Sequence, residues 1–261
     1  MGALTSKCPL SSTKRIIWCD TEGGMRGVPL WDVTCIEETT AGMSAYRLSV
    51  VRDAPKRRRA MLRKELNHNC CNDSSRTGST IVTQLSHEQK GGWKAMTHAT
   101  VDLTINELLA SYLALRKGSV LAAWNMNGHD RHVLRRAVGK TLDGMVLWDG
   151  LPWFRSVYQL PKNTMSSNKP GTPRRLFNVP VYGSAHSSMS DAVHMRDVVC
   201  RAAYCVQHER SNTTVYEEAT DTELYNAACT EITKHTCATD WILIKETAWV
   251  PGFIPSSVAG T

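Results

Sequence analysis

Ile16-Ile17-Trp18-Cys19-Asp20-Thr21-Glu22 is an apolar run that ends in two carboxylates, one residue apart. Alternate residues of a strand point to the same face. A strand over this stretch therefore aims Asp20 and Glu22 together from its end. Two like charges side by side are costly unless something positive lies between them, and a hard divalent cation is the usual partner. Asp-x-Glu also arises by chance on solvated strand ends. The reading therefore depends on whether the chain supplies further carboxylates and a base.

Working outward, residues 31–37 and 46–51 read as strands joined by a turn at Thr40-Ala41-Gly42, which with 16–19 makes an antiparallel start to a sheet. Ile105, Leu108, Leu109, Tyr112 and Leu113 follow helical spacing behind Thr104 as N-cap, and Gly118 ends that helix. A short buried strand follows at 120–124, then a helix carrying Val133, Leu134, Ala137 and Val138. Residues 145–148 predict another strand and 151–160 another helix. Met195, Val198, Val199, Ala202 and Val206 mark the apolar face of a last core helix. Alternating helices and strands are the pattern of an α/β fold.

Three stretches stand apart. Residues 52–64 hold seven basic residues and one acid, and the polar, turn-rich run beyond them predicts an insertion over about 52–98, with a helix at 60–66. Lys56-Arg57-Arg58-Arg59 reads as a phosphate-facing or solvated patch rather than a targeting signal. Residues 161–175 predict a loop with four basic residues and no acid. From Val206 onward there are three Lys/Arg and eight Asp/Glu, a net of −5, with a further helix at 222–234.

The chain of 261 residues is long enough for one well-filled domain. Three parts are expected: a tail at 1–13, a main domain at 14–205 and an acidic extension at 206–261. The total charge of +7 leaves +12 on the first 205 residues, a basic body suited to a polyanionic partner. No run is apolar enough to span a membrane, and 1–12 lack the apolar core of an export signal. The nine cysteines are therefore expected as reduced thiols in an intracellular protein, nuclear or cytoplasmic. Cys70-Cys71 with His68 offer half a zinc site, but no second pair stands at finger spacing, which favours a loop with free thiols. The sequons at Asn72 and Asn212 carry little meaning in a chain that is not exported.

Further carboxylates do appear. Asp130 opens the helix after strand 120–124, and Asp191 opens the last core helix. His186 lies five residues before Asp191, on a loop of small residues. An acid in a first helical turn also favours the helix dipole, so neither Asp is informative alone. The set is.

Asp20-x-Glu22, then Asn125-Met126-Asn127-Gly128-His129-Asp130, then His186 and Asp191, resembles in order and interval the three motifs of the DEDDh (DnaQ-like) 3′→5′ exonucleases. The five-residue step from Asn125 to Asp130 is similar to that of the three-prime repair exonuclease subgroup, and Asp149-Gly150-Leu151 resembles the Asp-x-Leu of the next strand end. The likeness covers roughly residues 14–205. Departures are Gly23-Gly24-Met25 directly after the Glu, Trp124 before the Asn, and His129 in place of an aromatic before Asp130.

The resemblance implies a ribonuclease H-like mixed sheet, with an antiparallel three-strand start, later parallel strands and flanking helices. It implies an exonuclease that hydrolyses phosphodiester bonds at nucleic-acid 3′ ends and releases nucleoside monophosphates. Asp20, Glu22, Asp130 and Asp191 would hold two divalent ions, Mg²⁺ or Mn²⁺, and His186 would be the general base. Asn125 would support the scissile end, and Met25 would wedge under the terminal base. Lys162, Lys169, Arg174 and Arg175 on the basic loop are candidates to grip the backbone of single-stranded DNA or RNA. Trp153 and Phe154 are expected in the core, and His194 on the surface or in packing. The competing readings are a non-catalytic nucleic-acid-binding module on the same fold, and a different metal-dependent enzyme or plain α/β protein with chance motifs. Convergence of the four carboxylates on one small pocket separates these.

Overall fold

The computed structural model describes residues 14–25, 27–66, 79–88, 92–158, 171–183, 186–208 and 215–236. Among them seven strands form one mixed sheet: β1 (Ile16–Gly23), β2 (Leu30–Thr39), β3 (Gly42–Ser49), β4 (Thr80–Glu88), β5 (Gly92–Val101), β6 (Val120–Ala123) and β7 (Val146–Asp149). Their order across the sheet is β5-β4-β3-β2-β1-β6-β7. The pairs from β5 to β1 are antiparallel; β1 with β6 and β6 with β7 are parallel. The helices are α1 (Lys56–Glu65), α2 (Ile105–Ala114), α3 (Arg131–Val138), α4 (Gly150–Val157), α5 (Gly171–Leu176), α6 (Ser188–Gln207) and α7 (Asp221–His235).

β1 is apolar on both faces because both are covered. Ile16 and Trp18 pack with α4, α6 and α7, while Ile17 and Cys19 pack with α2 and α3 on the other side. A strand buried on both faces reads as a continuous apolar run, as 16–19 does. The parallel partners carry the same signature: Val120, Leu121, Ala122 and Ala123 are fully buried. α2 begins at the expected N-cap, where Thr104 and Glu107 form a reciprocal capping box.

α6 lies against β1 and β2, and a buried ion pair fixes it there. Arg196 donates to both oxygens of Glu38 on β2, and Trp18 Nε1 donates to Glu38 Oε2 at 2.8 Å. Arg196 also reaches Asp197 and, at 3.7 Å, Asp221 at the start of α7. Helix α7 inserts Leu224, Tyr225, Ala228 and Ile232 into the same core as α6. The expected boundary at 205/206 thus falls inside α6, and the helix beyond it packs on the sheet domain.

The region 52–98 is more structured than its polar composition predicts: it holds α1 and then the hairpin β4–β5, which extends the sheet beyond β3. The helix starts earlier than expected, straight after Pro55, because Lys, Arg, Ala, Met and Leu are all strong helix formers. The hairpin lacks a sequence signature for a physical reason. Only its base, Thr80 to Thr83 and Val101, is buried, and Gln84, Ser86, His87 and the whole run from Trp93 to Thr100 are partly or fully exposed. An edge hairpin of that kind lacks the apolar alternation that marks a half-buried strand. Residues 171–176 likewise form a short helix where a loop was expected.

Cys19, Cys35, Cys200, Cys205 and Cys229 are buried free thiols. No helix among the described residues is long and apolar enough to cross a membrane. The tail at 1–13, the sequons, the His68/Cys70/Cys71 group, Lys162 and Lys169 lie outside the described residues.

Candidate active site

β1 and β6 run parallel, so their C-terminal ends lie side by side. In open α/β sheets, crevices form beyond such ends. Here a cleft of about 220 Å³ opens at that edge, and Asp20, Glu22, Asn125, Asp130, His186 and Asp191 all line it. Three segments far apart in sequence therefore meet at one place.

Each segment is placed by its own local chemistry. β1 ends at Gly23, where φ is +90°; a Cβ there would sit 2.2 Å from the Pro29 carbonyl. Only glycine fits that turn, and the chain swings away directly after Glu22. The second segment leaves β6 through a π-helical turn, Met126–Asp130. Such turns are uncommon and concentrate at functional sites. Gly128 lies against the Asn125 side chain, leaving no room for a Cβ. The turn is braced from β7, where Asp149 Oδ2 accepts from Asn127 N at 2.8 Å and its Oδ1 caps α4 at Leu151 N. Thr21 Oγ1 donates to Asp130 Oδ1 at 2.7 Å, tying this turn to β1.

The third segment is the approach to α6. His186 has φ +62°, a left-handed conformation that non-glycine residues rarely adopt. Strained backbone of this kind persists only where the surroundings enforce it. The enforcing groups are buried. Asp32 Oδ2 accepts from both the N–H and the hydroxyl of Ser188, at 3.2 and 2.8 Å. Arg47 clamps Asp32 through two parallel hydrogen bonds of 3.0 and 2.9 Å, and Ser49 donates a further one. Asp191 N then accepts its place in the helix by donating to Ser187 O at 2.9 Å.

The electrostatics of the cleft are those of crowded, poorly solvated carboxylates. Burial pushes the Asp20 carboxyl well above the ordinary range, and repulsion from Asp130, Asp191 and Glu22 pushes it further. Its Oδ2 is buried with no hydrogen-bond partner among the described residues. Burial also raises Asp130 to about 7, against the opposing pull of the Thr21 hydrogen bonds. Asp149 is raised by burial too, less so for its backbone donors. Burial lowers the pKa of His129, against the opposing pull of a backbone hydrogen bond at Thr21.

This arrangement suits a cation. One ligand atom each from Glu22, His186 and Asp191 lie within 4.8 Å of one another. Asp20 adds an orphaned oxygen. Hard divalent ions take such oxygen donors.

Other expected residues lie elsewhere. Met25 packs against the core under α2 and α3 and does not line the cleft. Arg174 and Arg175 sit on α5 outside the lining, and Arg174 Nη1 donates to Val179 O at 3.0 Å. Trp153 and Phe154 are buried in the core. His194 is a packing residue: it is buried and accepts from Tyr182 N at 3.0 Å. Thr21, Trp124 and His129 also line the cleft beside the motif residues; the sequence marks Trp124 and His129 only as departures from the motif pattern and gives Thr21 no role. Their adjacency to Glu22, Asn125 and Asp130 was the available signal. Comparison with protein-family models, with curated proteins and with solved structures finds no match.

Proposed function

We propose that this protein is a metal-dependent 3′→5′ exonuclease of the DEDDh type. The observation that carries the reading is the meeting of Asp20, Glu22, Asp130, Asp191 and His186 in one cleft. The sheet supports it. Strands β3-β2-β1-β6-β7, antiparallel then parallel, are compatible with a ribonuclease H-like core, to which β4–β5 add a hairpin at the β3 edge.

Asp20, Glu22, Asp130 and Asp191 are the residues that would hold two Mg²⁺ or Mn²⁺ ions. When bound, such ions activate water and stabilise the charge that builds on the phosphoryl oxygens. The chain's own residues do the rest. His186 takes a proton from the attacking water, a task suited to an imidazole near neutral pH. Water oxygen bonds to phosphorus, the bond from phosphorus to the 3′ oxygen breaks, and that oxygen takes up a proton from solvent water as it leaves. The product is a nucleoside 5′-monophosphate. Asn125, held against Gly128 at the mouth of the turn, orients the scissile end. The partner is a nucleic-acid 3′ end, single-stranded to fit a small cleft and bound mainly through phosphates, without base specificity.

The test is a panel of 5′-labelled single- and double-stranded DNA and RNA, each with Mg²⁺, with Mn²⁺ and with a chelator. Stepwise shortening from the 3′ end, only with metal, is the expected result. Intact substrates throughout, or internal cuts, overturn the proposal.

A further inference from the structure

We infer that Glu65, the last residue of α1, is a positioning residue for His186. The inference rests on the exonuclease reading above. Glu65 does not line the cleft and touches no reacting group. It acts through Ser187, the residue directly after the histidine.

The contacts are specific. Ser187 Oγ donates to Glu65 Oε2 at 2.8 Å. Arg47 Nη1 reaches the same oxygen at 2.9 Å. Arg47 Nη2 also donates to Ser187 Oγ at 3.3 Å. Ser187 and Ser188 are buried, so these bonds are not exchanged for water. Ser187 is therefore gripped from α1 and β3 together, while Ser188 is held from β2 by Asp32. The strained φ of +62° at His186 lies immediately ahead of this grip. A left-handed residue relaxes when its neighbours are released. The grip thus selects one loop conformation and aims the imidazole into the cleft.

Glu65 is the member of this network that can be tested cleanly. Asp32 and Arg47 are core residues: removing Arg47 leaves the buried Asp32 without a countercharge, and removing Asp32 also releases Ser188. The Glu65 side chain is 18% exposed, and without it Arg47 keeps Asp32. Misplacing a catalytic group by about 1 Å can cost about 100-fold in rate.

The experiment compares wild type, Glu65→Ala, Glu65→Gln, His186→Ala and the double variant Glu65→Ala/His186→Ala on a labelled single strand at saturating Mg²⁺. Glu65→Ala is expected to lose about 10- to 100-fold in kcat with KM within about twofold. Glu65→Gln, which still accepts from Ser187, is expected to recover most of that loss. The double variant is expected to be no slower than His186→Ala, because a displaced histidine and a missing one are equivalent. Hydrogen exchange of the metal-free protein adds a readout independent of activity. Peptides carrying Ser187 and Ser188 should exchange faster in Glu65→Ala and near wild type in Glu65→Gln. Wild-type rate in Glu65→Ala overturns the inference, and so does a double variant whose losses multiply. Unchanged exchange at Ser187 and Ser188 also overturns it, even if the protein is an exonuclease. A wild-type protein without metal-dependent cleavage overturns the exonuclease reading itself, and this role of Glu65 with it.

Discussion

Thr21 Oγ1 donates to Asp130 Oδ1 across 2.7 Å, joining two residues 109 positions apart in the chain. Strand alternation puts Thr21 on the face opposite Asp20 and Glu22. One strand end thus carries two carboxylates on one face and, on the other, the hydroxyl that steadies a third. A hydrogen bond to a charged group is worth about 1.5–3 kcal/mol. Thr21→Val, which keeps shape and removes the donor, should raise the half-saturating Mg²⁺ concentration at pH 7 by roughly tenfold or more. Calorimetric titration measures this, and an unchanged affinity means that Asp130 contributes nothing to the ion.

Stability should respond to pH in an unusual direction when metal is absent. Asp20 and Asp130 hold their protons more tightly in the folded than in the unfolded chain, Asp130 with a folded pKa of about 7. Between the unfolded carboxylate range near pH 4 and pH 7, the folded state binds more protons, so stability falls as pH rises. The Asp130 contribution is full below about pH 4 and is lost as pH passes 7, and Asp20 acts in the same direction. Thermal melting of the metal-free protein should therefore show a lower Tm at pH 8 than at pH 6, and saturating Mg²⁺ should restore it at pH 8. In Asp20→Asn/Asp130→Asn the difference between the two pH values should shrink. An equal pH dependence in that variant would remove these two groups as its cause.

The buried pair Arg196–Glu38 gives a structural control. Removing one partner of such a pair typically costs about 3–5 kcal/mol. Arg196→Ala should lower unfolding free energy by that order, leaving Glu38 with the Trp18 indole as its remaining partner. Arg196→Met with Glu38→Gln, which removes both charges and keeps an acceptor for Trp18, should recover most of the loss. Denaturant titration checks both, and a mild single variant would mean that the pair is more solvated than its burial indicates.

His186→Ala separates chemistry from binding. Every carboxylate of the cleft remains in this variant, so metal and strand should bind as in wild type. Positioned acid–base groups contribute about 10²- to 10⁴-fold, and the turnover should fall by that order. Single-turnover cleavage together with a binding isotherm in Ca²⁺ measures the two parts. Wild-type turnover would reduce His186 to a loop residue.

Much of this arrangement was legible in the chain because it rests on local signals. The apolar run into Asp20, the Thr104–Glu107 capping box and the helical spacing of Leu108, Leu109 and Tyr112 each announce themselves within a few residues. What remained hidden depends on pairing across distance. Asp32 and Arg47 look like ordinary polar strand residues until β2 and β3 are laid side by side and Ser188 arrives from 156 residues away. The hairpin β4–β5 is buried only at its base, Thr80–Thr83 and Val101, so its composition resembles a polar insertion. Met25 and Arg174 illustrate the reverse: a motif position or a basic loop suggests a contact, but backbone geometry directs the side chain elsewhere.

The central claim is tested most directly by digesting a 5′-labelled single-stranded oligonucleotide in Mg²⁺ with wild type and Asp20→Ala, purified in parallel. Asp20 sits among three other carboxylates, its buried oxygen without a partner among the described residues, so removing it relieves repulsion in the metal-free fold and should leave Tm undiminished. The account predicts a ladder that shortens one nucleotide at a time from the 3′ end with wild type, and full-length substrate with the variant. An intact substrate with wild type, or the same ladder from a well-folded Asp20→Ala, would contradict it.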